Sequence, residues 1–304
     1  MASVCAEPQP RIARANAPAL AMANRFSRYK PEEEKAVRKV EVVEDETLKK
    51  IKEAWKACNY DFDSAHTYAK MLEAVKKLEY SAKDVENFSI ALAEFQDEEM
   101  FPDKAGLFFT VLINYGKDSD YVIHTAHLAE PIDYLGYYNT KNITVKGNTR
   151  YRVGYGMKGG TIAVEGNAGQ FVGETMKCGI ITVGGNADDN VGEMMEGGTI
   201  RVNGNAGKLV GWFMRSSVIT VEGNVGDKVG YCMSDGHITV GGNADHEVGA
   251  SMGSGTITVG GNVGDNTGYK MVGGEIHLNG GYGGISEGII HGKIFHKGKL
   301  IVDK

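Results

Sequence analysis

His124 and His127 stand three residues apart, the HxxH spacing that on a helix would turn two imidazoles toward one metal ion. The sequence around them reads as strand or loop, and no third ligand follows at metal spacing. They therefore read as surface or capping histidines, and they are the chain's candidate metal ligands. Arg150, Tyr151, Arg152 and Tyr155 follow closely, and with the two histidines they would line a polar site able to take an anion. Gly184-Gly185-Asn186-Ala187-Asp188-Asp189 and Gly260-Gly261-Asn262-Val263-Gly264-Asp265 echo the glycine-and-aspartate nonapeptide that binds calcium. That mode needs an acid at one phase of successive turns. Here the phase of Asp265 is held by Gln170, Asp189, Lys208, Asp227 and His246, and a lysine within the stack argues against a cation ladder. Thioethers bind soft metals, but Met157, Met176, Met195, Met214, Met233, Met252 and Met271 recur at one phase, which reads as core filling. Cys178 and Cys232 read as buried, unreactive thiols. No Ser-His-Asp set, carboxylate pair or phosphate loop opening a helix emerges, and the many GxxG strings read as strand corners. No catalytic residue and no cofactor-binding residue is assigned, and no cofactor is expected.

The elements that position these residues follow from a repeat. Gly147, Gly166, Gly185, Gly204, Gly223, Gly242, Gly261 and Gly280 are spaced by 19 residues each time. Asn148, Asn167, Asn186, Asn205, Asn224, Asn243 and Asn262 follow the first seven, and another glycine comes seven residues after each, from Gly154 to Gly268. Each unit closes on an apolar-x-apolar pair such as Ile162/Val164 or Ile181/Val183. A fixed period without insertions means that each unit is one turn of a solenoid stacked on its neighbour. The Ile-x-Val pairs predict short strands with both apolar residues inward, and the Val153 and Met157 phases supply two further inward rows. Thr144, Thr182, Thr220, Thr239 and Thr258 point outward on a flat strand face. The corner glycines are expected to take φ > 0. The seven asparagines are expected to form a buried hydrogen-bonded ladder from coil to coil. A left-handed hexapeptide helix needs six-residue subperiods, and 19 is not a multiple of six.

Of 42 glycines, 39 lie after residue 140, where there is no proline, so composition divides the chain there. The expected organisation is a disordered arm over 1–30, a helical segment over 31–100, an α+β cap over 101–140 and the β-helix over 141–304. Leu48, Ile51, Ala54 and Trp55 share one helical face, Tyr68, Met71, Leu72, Val75 and Leu78 a second, and Val85, Phe88, Leu92 and Phe95 a third. Ser81 with Asp84 predicts a capping box. Leu107–Asn114 and Tyr121–His124 read as strands joined by the turn Tyr115-Gly116-Lys117-Asp118, and Asp133–Lys141 as the lead into the first coil. A net charge of −6 argues against nucleic acid and anionic membrane as partners. No apolar run reaches the roughly 18 residues of a membrane span. Four cysteines without CxxC spacing indicate neither disulfides nor a zinc knuckle and fit a reducing, cytoplasmic setting.

The repeat resembles the GxxGxxxG β-helix family, which includes the C-terminal domain of the glutamate synthase large subunit and the C subunits of formylmethanofuran dehydrogenase and of the formyltransferase/hydrolase complex. The full motif stands at Gly166/Gly169/Gly173, Gly204/Gly207/Gly211, Gly223/Gly226/Gly230 and Gly261/Gly264/Gly268, and the middle glycine is replaced at Arg150, Asp188 and Asp245. The resemblance covers about residues 140–290. It implies a right-handed parallel β-helix of about eight 19-residue coils, preceded by a small α-helical or α+β capping segment. It also implies a non-catalytic scaffold or complex-assembly role, with protein partners that are catalytic subunits of an oxidoreductase or formyl-transfer complex, or further copies of the chain. The alternative is an enzyme or metal-binding module whose site lies where the cap meets the first coils.

Overall fold

A computed structural model describes residues 44–304; the arm expected over residues 1–30 lies outside them. Three short helices open the described chain, and each begins at a side-chain cap. In α1 (Glu46–Lys56) the Asp45 carboxylate accepts the Leu48 N–H, and in α2 (Ser64–Val75) Asp63 accepts from Ala65 and His66. In α3 (Ala82–Ala91) Ser81 and Asp84 form the reciprocal capping box. A 3₁₀ turn (Leu92–Phe95) follows. Helices this short are unstable alone, and they are held by an aromatic core in which Trp55 lies 5.5–6.1 Å from the rings of Phe88, Phe95, Phe101 and Phe108.

The segment expected as a strand over Leu107–Asn114 is instead part of α4 (Phe101–Tyr115), so there is no hairpin with the following strand. The helix is buried along almost its whole length, and a helix buried on every side shows the unbroken apolar run that also marks a buried strand. Pro102 sits in its first turn, where a missing N–H costs nothing. Gly106 lets it touch the solenoid: a Cβ there would lie 1.5 Å from the Asp133 carbonyl oxygen. The Thr110 hydroxyl donates to the Tyr134 carbonyl and accepts the Gly136 N–H. The helix is thereby bonded across the end of the solenoid and covers its core.

The solenoid is a β-solenoid of about nine turns, and the strands on one of its faces form a single eleven-stranded sheet in sequence order. β1 (Asp120–His124) pairs parallel with β2 (Asn142–Lys146), Tyr121 opposite Ile143. β3 (Thr161–Val164), β4 (Ile180–Val183), β5 (Thr199–Val202), β6 (Val218–Val221), β7 (His237–Val240) and β8 (Thr256–Val259) follow at a register of 19, Ile always opposite Ile. β9 (Val272–Leu278) and β10 (His291–His296) continue in parallel. β11 (Lys299–Asp303) then folds back antiparallel through Lys297-Gly298, both at positive φ, the two-residue hairpin turn whose twist matches the strands.

Residues 120–141 form a turn that the repeat does not announce. Tyr134, Gly136 and Tyr138 have positive φ, as do Arg152, Gly154 and Gly156 eighteen residues later. Leu135 accepts the Gly154 N–H, and Tyr155 accepts from Tyr138 through its carbonyl. Inside the rod the Ile, Val and Met rows are buried, including every repeat methionine from Met157 to Met271.

Candidate functional site

The motif glycines hold the coils in contact, each row for its own reason. Positive φ, expected of all the corners, is confined within the full motifs to the third row, Gly173, Gly211, Gly230 and Gly268. It is found neither at Gly166, Gly204, Gly223 and Gly261 of the first row nor at Gly169, Gly207, Gly226 and Gly264 of the middle row. Those two rows are glycine because the preceding coil leaves no room. At the first row the obstacle is the preceding asparagine: a Cβ on Gly166 would lie 2.2 Å from the Oδ1 of Asn148, on Gly223 2.5 Å from that of Asn205, and on Gly261 2.5 Å from that of Asn243. At the middle row the obstacle changes with the coil beneath. A Cβ on Gly169 would lie 2.2 Å from the Arg150 carbonyl oxygen, and one on Gly207 2.1 Å from the Oδ1 of Asp189. At Gly226 it would meet the Lys208 Cγ at 2.9 Å, and at Gly264 the His246 Nδ1 at 2.9 Å. Gly226 has the most room of the four, its nearest backbone atoms lying at 3.2 Å, whereas Gly169 faces backbone at 2.2 Å. Arg150, Asp188 and Asp245 stand at the middle position in other coils and none has positive φ, so the backbone conformation there does not require glycine. At the third row both constraints act, since a Cβ on Gly211 would also lie 2.4 Å from the Cδ1 of Ile238 in the next coil.

The asparagines form a ladder of one kind of bond. The Oδ1 of Asn148 accepts the backbone N–H of Asn167 at 2.8 Å, and the pattern repeats through Asn186, Asn205, Asn224, Asn243 and Asn262 to the N–H of Gly281. The expected burial is not found; the Asn residues from Asn148 to Asn262 are exposed, because the Gly-Asn corner faces outward. A second ladder, not foreseen, occupies the phase that echoed a calcium motif. Asp189 accepts the N–H of Lys208, Asp227 that of His246, and the His246 Nδ1 that of Asp265. The His246 N–H bond holds the Asp227 carboxyl below the usual carboxylate range, against a modest burial penalty. These side chains are spent on neighbouring backbone, and among the described residues no three His, Cys, Asp or Glu gather in a metal-binding group.

Of the residues expected to line a site at the cap, Tyr151, Arg152 and Tyr155 stay together, whereas His124, His127 and Arg150 turn to other partners. The His124 Nε2 lies 3.0 Å from Glu86 on α3, and its backbone N–H donates to the Ser89 hydroxyl. His127 is lowered by burial, partly offset by a hydrogen bond with the Ile90 backbone. Arg150 instead forks onto Asp133, Nε at 2.9 Å and Nη2 at 2.6 Å. Arg152 lies among aromatic rings, its guanidinium carbon 5.0–6.0 Å from the centroids of Tyr134, Tyr151, Tyr155 and Phe171. Its Nε comes within 2.7 Å of the Glu174 Oε2, an ion contact without hydrogen-bond alignment. Burial raises the Glu174 carboxyl, and Arg152 opposes that rise. The side chain that looked free to bind an anion is thus already neutralised.

Cys178 is exposed and Cys232 partly so, contrary to the expectation of buried thiols. Cys178 sits on an outward corner, and Cys232 occupies a positive-φ position, φ 55, at the coil surface. The outward threonines are mostly half-buried, since stacked strands cover one another.

The surface feature that sequence reasoning missed lies along these positive-φ corners. In each coil a non-glycine residue takes positive φ two residues before the third-row glycine: Arg152, Phe171, Asn190, Leu209, Lys228, Glu247 and Asn266. Two residues after that glycine another does so: Thr175, Met194, Phe213, Cys232, Ser251 and Lys270. Apart from Asn266 and Lys270 in the last of these coils, their N–H groups donate to the following coil, as Met194 does to Trp212 and Phe213 to Tyr231, and these bonds hold a costly conformation in place. Mid-rod the row turns apolar. Met194 and Phe213 are 44% and 42% exposed, and the Trp212 ring stacks at 5.4 Å on Phe213 and at 6.4 Å on Tyr231. Leu209, Trp212 and Tyr231 are half-buried beside them. The 19-residue period gives the phase of these residues; their exposure is seen only in the structure.

No helix among the described residues is long and apolar enough to cross a membrane. No family model and no curated protein matches the chain. Among solved structures, the crystal structure of the formyltransferase/hydrolase complex (FhcABCD) from Methylorubrum extorquens in complex with methylofuran contains a similar chain. It is 31% identical, the match covers 49% of this chain and 58% of that one, and the TM-score is 0.45. The chain thus spans less than two thirds of that relative's length.

Proposed function

We propose that the protein is a scaffold or complex-assembly component that docks a catalytic protein of the formyl-transfer or glutamate synthase type that its repeat resembles. The observation that carries this reading is the apolar patch on the coil surface in which Met194 and Phe213 are exposed and Leu209, Trp212 and Tyr231 are half-buried beside them. Exposed apolar patches mark protein contacts, and Trp and Tyr supply much of the energy in such contacts. The solenoid backbone suits the task. Each coil is fixed to both neighbours by main-chain bonds, so the patch is presented with little ordering cost on binding.

The test is purification from the native source with tagged native chain, with Phe213→Glu, and with Thr220→Lys on the strand face. The reading expects a stoichiometric enzyme subunit with the native chain and with Thr220→Lys, and its loss with Phe213→Glu. Recovery of the chain alone, or an undiminished partner on Phe213→Glu, would overturn it.

A further inference from the structure

The two ends of the rod are finished differently. At the first, β1 is covered by helices, and the His124 N–H is taken up by the Ser89 hydroxyl of α3. At the last, among the described residues β11 pairs with β10 alone and forms the edge of the sheet. Edge strands are ordinarily blunted by shortness, lysines or a bulge, because a bare one invites another strand. β11 is short, starts at Lys299 and is bulged, yet it leaves apolar side chains exposed between its charges. β11 reads Lys299-Leu300-Ile301-Val302-Asp303, with Leu300 41% and Ile301 37% exposed. The adjoining Ile290 is 54% exposed. In the pairing with β10, Val302 lies opposite Ile294 and Leu300 opposite Phe295, so Ile301 is a bulge residue with no partner on that strand.

We propose that β11 is a self-association edge, on which a second copy of the chain pairs antiparallel with Ile301 on the two-fold axis. The order of the five residues carries the choice of occupant. Antiparallel pairing about Ile301 sets Lys299 opposite Asp303 of the second copy, Leu300 opposite Val302, and Ile301 opposite Ile301. Every pair is then complementary, opposite charges at both ends and apolar between. A two-fold contact requires that one patch match itself, and this strand does so in charge and in hydrophobicity. Opposite charges across an antiparallel pair stabilise it and like charges destabilise it. A five-residue edge buries less than a standard stable interface, so the dimer forms in a concentration-dependent way.

Sedimentation velocity across a concentration series tests this on the full chain. Lys299→Asp sets carboxylate against carboxylate at both ends of the pair, and Asp303→Lys sets ammonium against ammonium. Each is expected to weaken dimerisation about tenfold or more. The double variant Lys299→Asp/Asp303→Lys re-creates the opposite-charge pairs and is expected to restore the dimer. Hydrogen exchange on the native chain gives a reading that needs no variant: amides of residues 299–303 should become protected as concentration rises. A chain monomeric throughout the series, a single swap that leaves dimerisation unchanged, or a double swap that fails to restore it would overturn the proposal.

Discussion

Replacing Gly211 by alanine separates the two reasons a glycine can be required. The backbone φ there is 72, which a residue bearing Cβ adopts at a cost of about 1 kcal/mol. That cost alone does not exclude a side chain, since Leu209 at φ 60 and Phe213 at φ 53 bear it in the same coil. The decisive contact is the one at 2.4 Å between the new Cβ and the Cδ1 of Ile238, which is only 1% exposed and has little room to move. Overpacking of a tight core adds about 1–3 kcal/mol, for a total of about 2–4 kcal/mol. In a unit of this size that lowers the melting temperature by about 5–15 °C. Gly159→Ala is the control, because a Cβ there meets nothing within 4 Å, and it should melt within about 1 °C of the native chain. Ile238→Val removes the clashing methyl and by itself costs about 0.5–1.5 kcal/mol. Combined with Gly211→Ala it should cost less than the sum of the two, as expected for residues in contact. Differential scanning calorimetry of the four variants decides the matter. A Gly211→Ala melt like that of Gly159→Ala, or strict additivity with Ile238→Val, would refute the reasoning.

Asn205→Ala removes the acceptor of the Asn224 N–H, but water reaches this exposed corner, so the loss should be about 0.5–1.5 kcal/mol. Asn205→Asp, which keeps the acceptor, should melt close to native, and equal losses for the two variants would show that the ladder does not rest on Oδ1. Met214→Ala, at a fully buried position, should cost about 2–5 kcal/mol by denaturant unfolding, well above Asn205→Ala, and a smaller loss would contradict a packed methionine row. Glu86 is held below its ordinary value of 4.5 by hydrogen bonds from Lys83 and then His124. The unfolded chain therefore binds the proton first, and the resulting stability is full above pH 4.5 and lost as pH falls through the folded value. Glu86→Gln should flatten that acid limb of the stability curve, whereas parallel limbs for the two proteins would contradict the assignment.

The coils were legible because their rule is periodic. Ile-x-Val at every nineteenth residue fixes the inward face and the register together, and the pairing of Ile162 with Ile181 follows from spacing alone. The capping box at Ser81 was legible because it is a local bond. Phe101–Tyr115 was not, since a helix buried on every side carries no polar face to betray its period. Nor was the turn over residues 120–141, where Tyr134 and Tyr138 stand in place of the repeat residues and the offset from strand to strand is 22 rather than 19. The motif glycines were legible as positions but not as causes: Gly169 and Gly173 look alike in sequence, yet the first answers to the coil below alone and the second both to its own φ of 68 and to Ile200 of the next coil. The apolar patch escaped for a subtler reason. Trp212 and Phe213 adjoin Gly211 and resemble core residues by type, yet Phe213, at φ 53, is 42% exposed. Near His124, contact and not proximity in sequence decides partners: His124 meets Glu86 and Arg150 meets Asp133, while Arg152 stays with Tyr151 and Tyr155.

The interlock of each coil with the next sets the lengths this molecule can have. Gly192 receives Ile219 as Gly211 receives Ile238, so a coil presents the same socket to whatever coil follows. Removing or duplicating 19 residues mid-rod leaves every socket filled, whereas any other number of residues must be thrown out as a loop. The distance from the helical end to β11 is therefore graduated, each mark one strand spacing or about 4.8 Å. Lineages that gain or lose whole coils would alter the reach of the rod without altering its cross-section, which makes it a gauge that evolution can reset one notch at a time.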